Sequence, residues 1–315
     1  MTQEKKSLSI EVKVTDRCDM KCYHCVNSDG PTKTTDLDWK LFNRRLEEWA
    51  LNREQSPYTL QEVRLTGGEP LISFDSILDI SRCCRRLGIK TGINTTGLML
   101  NAKRIGRLKE SGVELMKISF DSVTRPVYAN NKTGKSSFYT LEQAIRDLVR
   151  FRFNVILRFT LSRNNLDQLY PCYESAIDLG VSKFQIKPLI RAGRANDLNT
   201  FLSPSEVNEA LRNMAGKYAG TSLPTEVSCW PADHIDKFSY RNCASIDKIY
   251  ISTGMLTSIC NYIQEDLQIR LGDLSHMSLE TILEHRLQIQ WAVFINGYHL
   301  PKNCPNTKFF LPGPA

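Results

Sequence analysis

Three cysteines stand close together near the N-terminus, in the run Cys18-Asp19-Met20-Lys21-Cys22-Tyr23-His24-Cys25. The C-x3-C-x2-C spacing places three thiolates on one tight loop. Three thiolates can ligate three irons of a cubic four-iron cluster and leave the fourth iron open to a reactant. A zinc knuckle with His24 or a distant residue as fourth donor uses cysteines spaced in a similar way. The loop alone therefore leaves iron-sulfur and zinc chemistry both open.

A second group follows in Thr66-Gly67-Gly68-Glu69-Pro70. Two glycines let backbone approach a ligand closely, the carboxylate can accept a hydrogen bond from an ammonium group, and the proline ends a strand. Further on, Cys243 and Cys260 flank residues 248–259, a predicted hairpin with Gly254 in its turn. A hairpin brings its ends together, so these two thiols could face one metal, and Cys304 returns after a predicted helix. Cys83, Cys84 and Cys172 have no partner motif. His234, His276, His285 and His299 show no ligand spacing and read as surface or core histidines.

The elements that must carry these groups alternate. β-rich runs at Ser9–Thr15, Glu62–Thr66, Thr91–Thr95, Leu115–Phe120, Asn154–Leu161 and Lys183–Leu189 are separated by stretches of helical period. The first helix is predicted to start at Asp38, with Leu37 and Phe42 as a hydrophobic staple. In the second, Ile77, Ile80, Cys84 and Leu87 share a face, and Gly88 supplies the stop. Further helices are expected at about 101–111, 139–152 and 167–179, and Leu202-Ser203-Pro204-Ser205-Glu206-Val207 announces a sixth through its capping box. Alternation of this kind argues for an α/β fold of parallel strands with right-handed crossovers, either an open sheet or an incomplete barrel. In both, chemistry sits at the carboxyl ends of the strands. Residues 217–228 read as a linker, followed by a small α+β region with a helix near 278–290.

Composition narrows the classes. The 315 residues have an apolar fraction of 41%, ordinary for a globular chain and enough for one large domain and a small one. Residues 1–9 are polar and lysine-bearing without an apolar run behind them, and no stretch reaches the roughly 18 apolar residues of a membrane span. A soluble, cytoplasmic protein is the expectation, with no membrane partner. In such a compartment ten cysteines imply ligands, catalysis or packing instead of disulfides. The formal charge of +7 is spread along the chain apart from short clusters such as Arg82, Arg85 and Arg86, which read as solvated helix faces. No basic stripe interleaved with aromatics points to nucleic acid.

Taken together, the cysteine loop and the Gly-Gly-Glu-Pro turn resemble the signature of the radical S-adenosylmethionine (SAM) superfamily, in which an aromatic residue commonly precedes the third cysteine; here that position is His24. The resemblance covers roughly residues 8–195 and implies a partial (β/α)6 barrel, an incomplete TIM barrel, over residues 1–216. It implies a 4Fe-4S cluster on Cys18, Cys22 and Cys25. It also implies a SAM site formed by His24, Gly67, Gly68 and Glu69, by Thr95 in the turn Asn94-Thr95-Thr96-Gly97, by Ser119 and Asp121 in Ile118-Ser119-Phe120-Asp121, and by Arg158 or, with less support, Arg163. Leu189, in the segment Pro188 to Gly193, would lie near adenine. The later cysteines are similar to the twitch form of the SPASM extension, implying a C-terminal domain over residues 217–315 with one auxiliary 4Fe-4S cluster on Cys229, Cys243, Cys260 and Cys304.

The expected reaction is reductive cleavage of SAM to a 5′-deoxyadenosyl radical that abstracts a hydrogen atom from a substrate. A ribosomally synthesised peptide is the first candidate. With only about eight residues before the first strand, a separate leader-peptide-binding protein is expected, as is an electron donor such as flavodoxin or ferredoxin. The alternatives are a small molecule such as an aminoglycoside precursor, and a non-catalytic zinc or iron-sulfur regulatory protein.

Overall fold

The computed structural model describes residues 5–26, 35–124, 138–195, 199–228, 239–241, 247–260 and 270–295. Six parallel strands form its centre: β1 (Lys6–Thr15), β2 (Tyr58–Gly67), β3 (Lys90–Thr95), β4 (Val113–Ser119), β5 (Asn154–Leu161) and β6 (Lys183–Pro188). Each falls on its predicted run, most with one to four extra residues at the amino end. The helices between them are α1 (Trp39–Leu51), α2 (Phe74–Leu87), α3 (Ala102–Ser111), α4 (Phe138–Arg150) and α5 (Leu169–Asp178), with α6 (Pro204–Lys217) after β6.

Local chemistry sets the helix ends. The Asp38 carboxylate accepts from the Leu41 N–H and starts α1, while Gly88, at φ 73°, closes α2 by donating to the carbonyls of Cys84 and Arg85. Ser203 and Glu206 form the expected capping box on α6. The fifth helix departs from its expected start: a 3-10 turn over Arg163–Gln168, boxed by Ser162 and Asn165, precedes α5.

Within the strands aliphatic and polar residues alternate. Ile10, Val12, Val63, Leu65, Met116, Ile118, Leu157, Phe159, Phe184 and Ile186 are wholly buried in the apolar core shared with the helices. The intervening positions carry Glu11, Lys13, Arg64, Asn94, Lys117, Arg158 and Lys187. A parallel sheet covered by helices on both faces reads as continuous apolar runs. Here one face packs against helices and the other encloses a polar interior, the arrangement of a barrel lumen.

The sheet does not close on itself. Its order is β11-β10-β9-β1-β2-β3-β4-β5-β6-β7-β8, so the six-stranded arc is a partial barrel extended at both edges. Part of the predicted linker at 217–228 is in fact strand β7 (Thr225–Ser228), parallel to β6, and β8 (Ser239–Arg241) continues it. The linker reading failed because a four-residue strand has no detectable period; pairing with β6 creates it. On the other edge β9 (Lys248–Ile251) pairs parallel with β1, and the predicted hairpin continues through β10 (Leu256–Ser258) to β11 (Arg270–Asp273). Helix α7 (Leu279–Ile295) covers the region of the helix expected near 278–290. Among the described residues no helix is long and apolar enough to cross a membrane. Of the predicted auxiliary ligands, Cys260 follows β10, while Cys229, Cys243 and Cys304 lie outside the described residues.

Candidate active site

The cysteine loop begins where β1 ends, and the Gly-Gly turn begins where β2 ends, one strand away. The two are fastened backbone to backbone. Gly68 N–H donates to the Thr15 carbonyl and Glu69 N–H to the Arg17 carbonyl, each at 2.8 Å. A Cβ on Gly67 would stand 2.3 Å from the Thr15 oxygen, and one on Gly68 would stand 2.1 Å from the Arg17 oxygen. The close approach that the glycines permit is therefore to the chain's own cysteine loop. On its other flank Thr15 donates to Asp36, whose carboxylate also holds Arg17.

Glu69 is fully buried and saturated. One oxygen accepts from the Leu71 N–H at 3.1 Å and the Thr95 hydroxyl at 2.5 Å, the other from the Thr96 N–H at 2.9 Å and the Thr96 hydroxyl at 2.7 Å. Burial pushes its carboxyl up, and these four bonds oppose the shift. Glu69 thus ties the turn after β2 to the turn after β3, and an incoming ammonium would find its acceptor sites occupied.

The thiols line one cavity of about 220 Å³ together with His24, Gly67, Gly68, Glu69, Thr95, Ser119, Arg158 and Leu189. Asp121 stands behind it: its carboxylate accepts from the Thr160 N–H at 2.6 Å and faces His24 Nε2 at 3.6 Å. Burial lowers the His24 pKa, with Asp121 opposing and Arg158, Lys187 and Arg194 reinforcing, so the ring favours its neutral form. Tyr23 meets the His24 ring edge-on and bonds Ser162 at 3.1 Å. Arg163 is elsewhere; it pairs with Glu206 at the start of α6 through two bonds of 2.7 and 2.9 Å. Of the two arginines, only Arg158 reaches the cavity.

Burial pushes the Cys18 thiol up to about 11 and the Cys22 thiol up to about 12. Metal uptake at this loop must therefore displace protons. Among the described residues no three Cys, His, Asp or Glu side chains converge to hold a single ion. Four residues of the lining also carry a buried polar atom without a hydrogen-bond partner: His24 Nδ1, Asn94 Oδ1, Arg158 Nε and Arg194 Nε. Orphaned polar atoms of this kind are costly, and a polar ligand satisfies them. Three thiols and the side chains of Arg158 and Arg194 lining one cavity suit a thiolate-held cluster and a zwitterionic ligand.

Gly193, in the segment after β6, packs against the end of the cysteine loop. Its φ of 58° is in the left-handed region, and a Cβ there would lie 2.2 Å from the Val26 carbonyl. The Arg194 N–H donates to the Cys25 carbonyl at 3.0 Å, joining the segment after β6 to the cysteine loop. Sequence reading missed Glu11, Lys117, Lys187 and Arg194 as cavity residues. For Glu11, Lys117 and Lys187 the signal was present as charge at alternate positions of otherwise aliphatic strands, a pattern that a sheet covered on both faces would not tolerate, whereas Arg194 lies in the 3-10 turn after β6 and had no such signal.

A model of the radical SAM superfamily matches residues 12–171. The pre-heme d1 synthase of Dinoroseobacter shibae is 29% identical over 194 residues, 58% of this chain and 44% of that protein. The PqqA peptide cyclase of Ruegeria pomeroyi is 25% identical over 200 residues, 63% of this chain and 51% of its own. The chain spans about half the length of these two curated relatives. Among solved structures, Streptococcus suis SuiB bound to precursor peptide SuiA matches with a TM-score of 0.69 at 13% identity, covering 89% of this chain and 65% of SuiB. Native anSMEcpe with bound AdoMet matches with a TM-score of 0.67 at 14% identity, covering 90% of this chain and 83% of that one. At such identities the likeness is one of fold.

Proposed function

The chain belongs to the radical SAM superfamily, and on that premise we propose that it binds a four-iron cluster through Cys18, Cys22 and Cys25, binds SAM in the adjoining cavity, and modifies a ribosomally synthesised peptide by hydrogen-atom abstraction. The observation that carries this reading is that Cys18, Cys22 and Cys25 line one cavity with His24, Asn94, Arg158 and Arg194, each of which has a buried polar atom without a hydrogen-bond partner. When bound, a reduced cluster supplies the electron that cleaves SAM to methionine and a hydrogen-abstracting 5′-deoxyadenosyl radical.

The chain's own residues bind and orient. Arg158, whose Nε lacks a partner, is suited to the SAM carboxylate. Glu69 keeps the turns after β2 and β3 in register, so that Gly67, Gly68 and Thr95 present a fixed wall to the amino group. Asp121 holds the Thr160 N–H and faces His24, fixing the ring beside the cysteines; Ser119 suits the ribose and Leu189 an apolar face of adenine. The fold shared with a protein solved with its precursor peptide, and sequence likeness to a peptide cyclase, support a peptide substrate. The same reading includes an electron donor such as flavodoxin or ferredoxin, a separate leader-peptide-binding protein, and a second four-iron cluster on Cys229, Cys243, Cys260 and Cys304.

Anaerobic reconstitution with iron and sulfide tests the core of the proposal. The expected result is about four irons lost on changing Cys18, Cys22 and Cys25 to Ala, and 5′-deoxyadenosine formed only with SAM and a strong reductant. Zinc at full occupancy with no nucleoside product overturns it. Mass spectrometry of candidate precursor peptides after incubation then checks the substrate class.

A further inference from the structure

Arg194 is bonded through its backbone to the loop that carries the cysteines. It stands in the 3-10 turn Gly193–Ala195 that follows β6, between Ala192, 5% exposed, and Ala195, fully buried. The Ala195 N–H donates to the Ala192 carbonyl at 3.2 Å and closes the turn. The turn lies directly against the cysteine loop. The Arg194 N–H donates to the Cys25 carbonyl at 3.0 Å, and a Cβ on Gly193 would come within 2.2 Å of the Val26 oxygen and 2.6 Å of the Cys25 oxygen. A side chain that branches from this point starts beside the thiols, and it lines the cavity with Cys18, Cys22 and Cys25.

Among the described residues the Arg194 side chain makes no hydrogen bond and no ion pair, and its Nε is buried without an acceptor. Its neighbours in charge are differently placed: Arg17, at the start of the same loop, is held by Asp36 and Ser73, and Arg163 by Glu206. The Arg194 charge acts on the Cys22 thiol and on the His24 ring. A guanidinium keeps its proton at any pH a protein meets, so this charge is permanent. A four-iron core held by three thiolates carries net negative charge, and the electron it accepts adds one more. A fixed positive charge close by stabilises the more negative state and so raises the potential at which the electron is taken up. Removing that one charge lowers the potential whatever the total charge of the cavity.

We propose that the Arg194 guanidinium, held beside the cysteine loop by the Gly193–Ala195 turn, raises the reduction potential of the cluster on Cys18, Cys22 and Cys25, so that a weaker reductant can supply its electron. The inference rests on the reading that these thiols hold a four-iron cluster, and it deepens that reading by naming the side chain that eases reduction. Arg194 acts through the cluster. Arg158, suited to the SAM carboxylate, matters once SAM is bound, whereas the effect of Arg194 is present without it.

The test uses the full chain, reconstituted anaerobically without SAM and titrated potentiometrically, with the reduced cluster followed by electron paramagnetic resonance. The signal to follow is the one missing from the Cys18→Ala, Cys22→Ala, Cys25→Ala variant. Arg194→Gln and Arg194→Met should both shift its midpoint downward, so that the ratio of reduced to oxidised cluster at a fixed potential falls about tenfold, which is about 59 mV for a one-electron couple. Arg194→Lys returns the charge and should restore most of the wild-type midpoint. Every one of these variants keeps the backbone N–H that bonds Cys25, so iron content should stay at the wild-type level. If one neutral variant does not fold, the other carries the comparison. The proposal is overturned if a folded neutral variant titrates like wild type or shifts upward, or if Arg194→Lys titrates like the neutral variants. It is equally overturned if both neutral variants fail to load iron, since Arg194 would then build the site instead of tuning it. A loss of SAM affinity with an unmoved midpoint also overturns it and assigns Arg194 to SAM. Failure of the parent reading looks different: wild-type protein would take up no four-iron cluster at these cysteines, and there would be no such signal to titrate.

Discussion

At the scale of single residues, Glu69 behaves as a hub. An ionised carboxylate offers about four acceptor sites and no donor, and Leu71, Thr95 and Thr96 fill them with four donors. A Gln amide has one acceptor oxygen and turns an N–H₂ toward donors. Both Glu69→Ala and Glu69→Gln should therefore destabilise the SAM-free protein, at about 1–3 kcal/mol for each buried donor left unpaired. Thermal unfolding without SAM is the measurement; unchanged stability would mean that Glu69 acts on ligand alone.

At the scale of elements, the strand ends work as a fastening. Gly68→Ala puts a methyl group 2.1 Å from the Arg17 carbonyl, so the cysteine loop must shift away from the turn. Iron content after reconstitution should drop well below that of wild type while the far-ultraviolet dichroism stays native; full iron loading would show that the loop tolerates the displacement. Which elements could be read from sequence follows from where their determinants lie. Asp38, Gly88, Ser203 and Glu206 act on atoms a few residues away, so their helix ends were legible. The first six strands were legible from their β-rich runs and spacing. Strand β7 owes its existence to β6, about forty residues earlier, and was read as linker. The three cysteines and the Gly-Gly-Glu-Pro turn were visible as motifs. What Glu69 holds was not, because its partners Thr95 and Thr96 belong to another strand's turn.

At the scale of the whole molecule, the strands after α6 are split between the two edges of the six-stranded arc. β7 and β8 extend one edge, and β9 to β11 extend the other. The auxiliary-cluster proposal is testable at this level. A Cys18→Ala, Cys22→Ala, Cys25→Ala variant should retain about four irons and its visible colour while losing SAM cleavage, because the second site is separate. A well-folded, iron-free variant would remove the second cluster and keep the first.

The split has a temporal consequence, and it falls on β1. This strand pairs with β2 on one side and with β9 on the other, and Asp16, at the root of the cysteine loop, accepts a hydrogen bond of 2.6 Å from the Thr253 hydroxyl in the turn after β9. The ribosome makes β1 before β9, and 237 residues separate Asp16 from Thr253. Contacts separated by so much sequence form late, since loop-closure entropy must be overcome before they are rewarded. The nascent cysteine loop thus keeps one flank unpaired until those residues have been added. Cluster delivery to a chain arrested before Thr253 would meet a loop held by Gly68 and Glu69 but lacking its clasp to the distant hairpin.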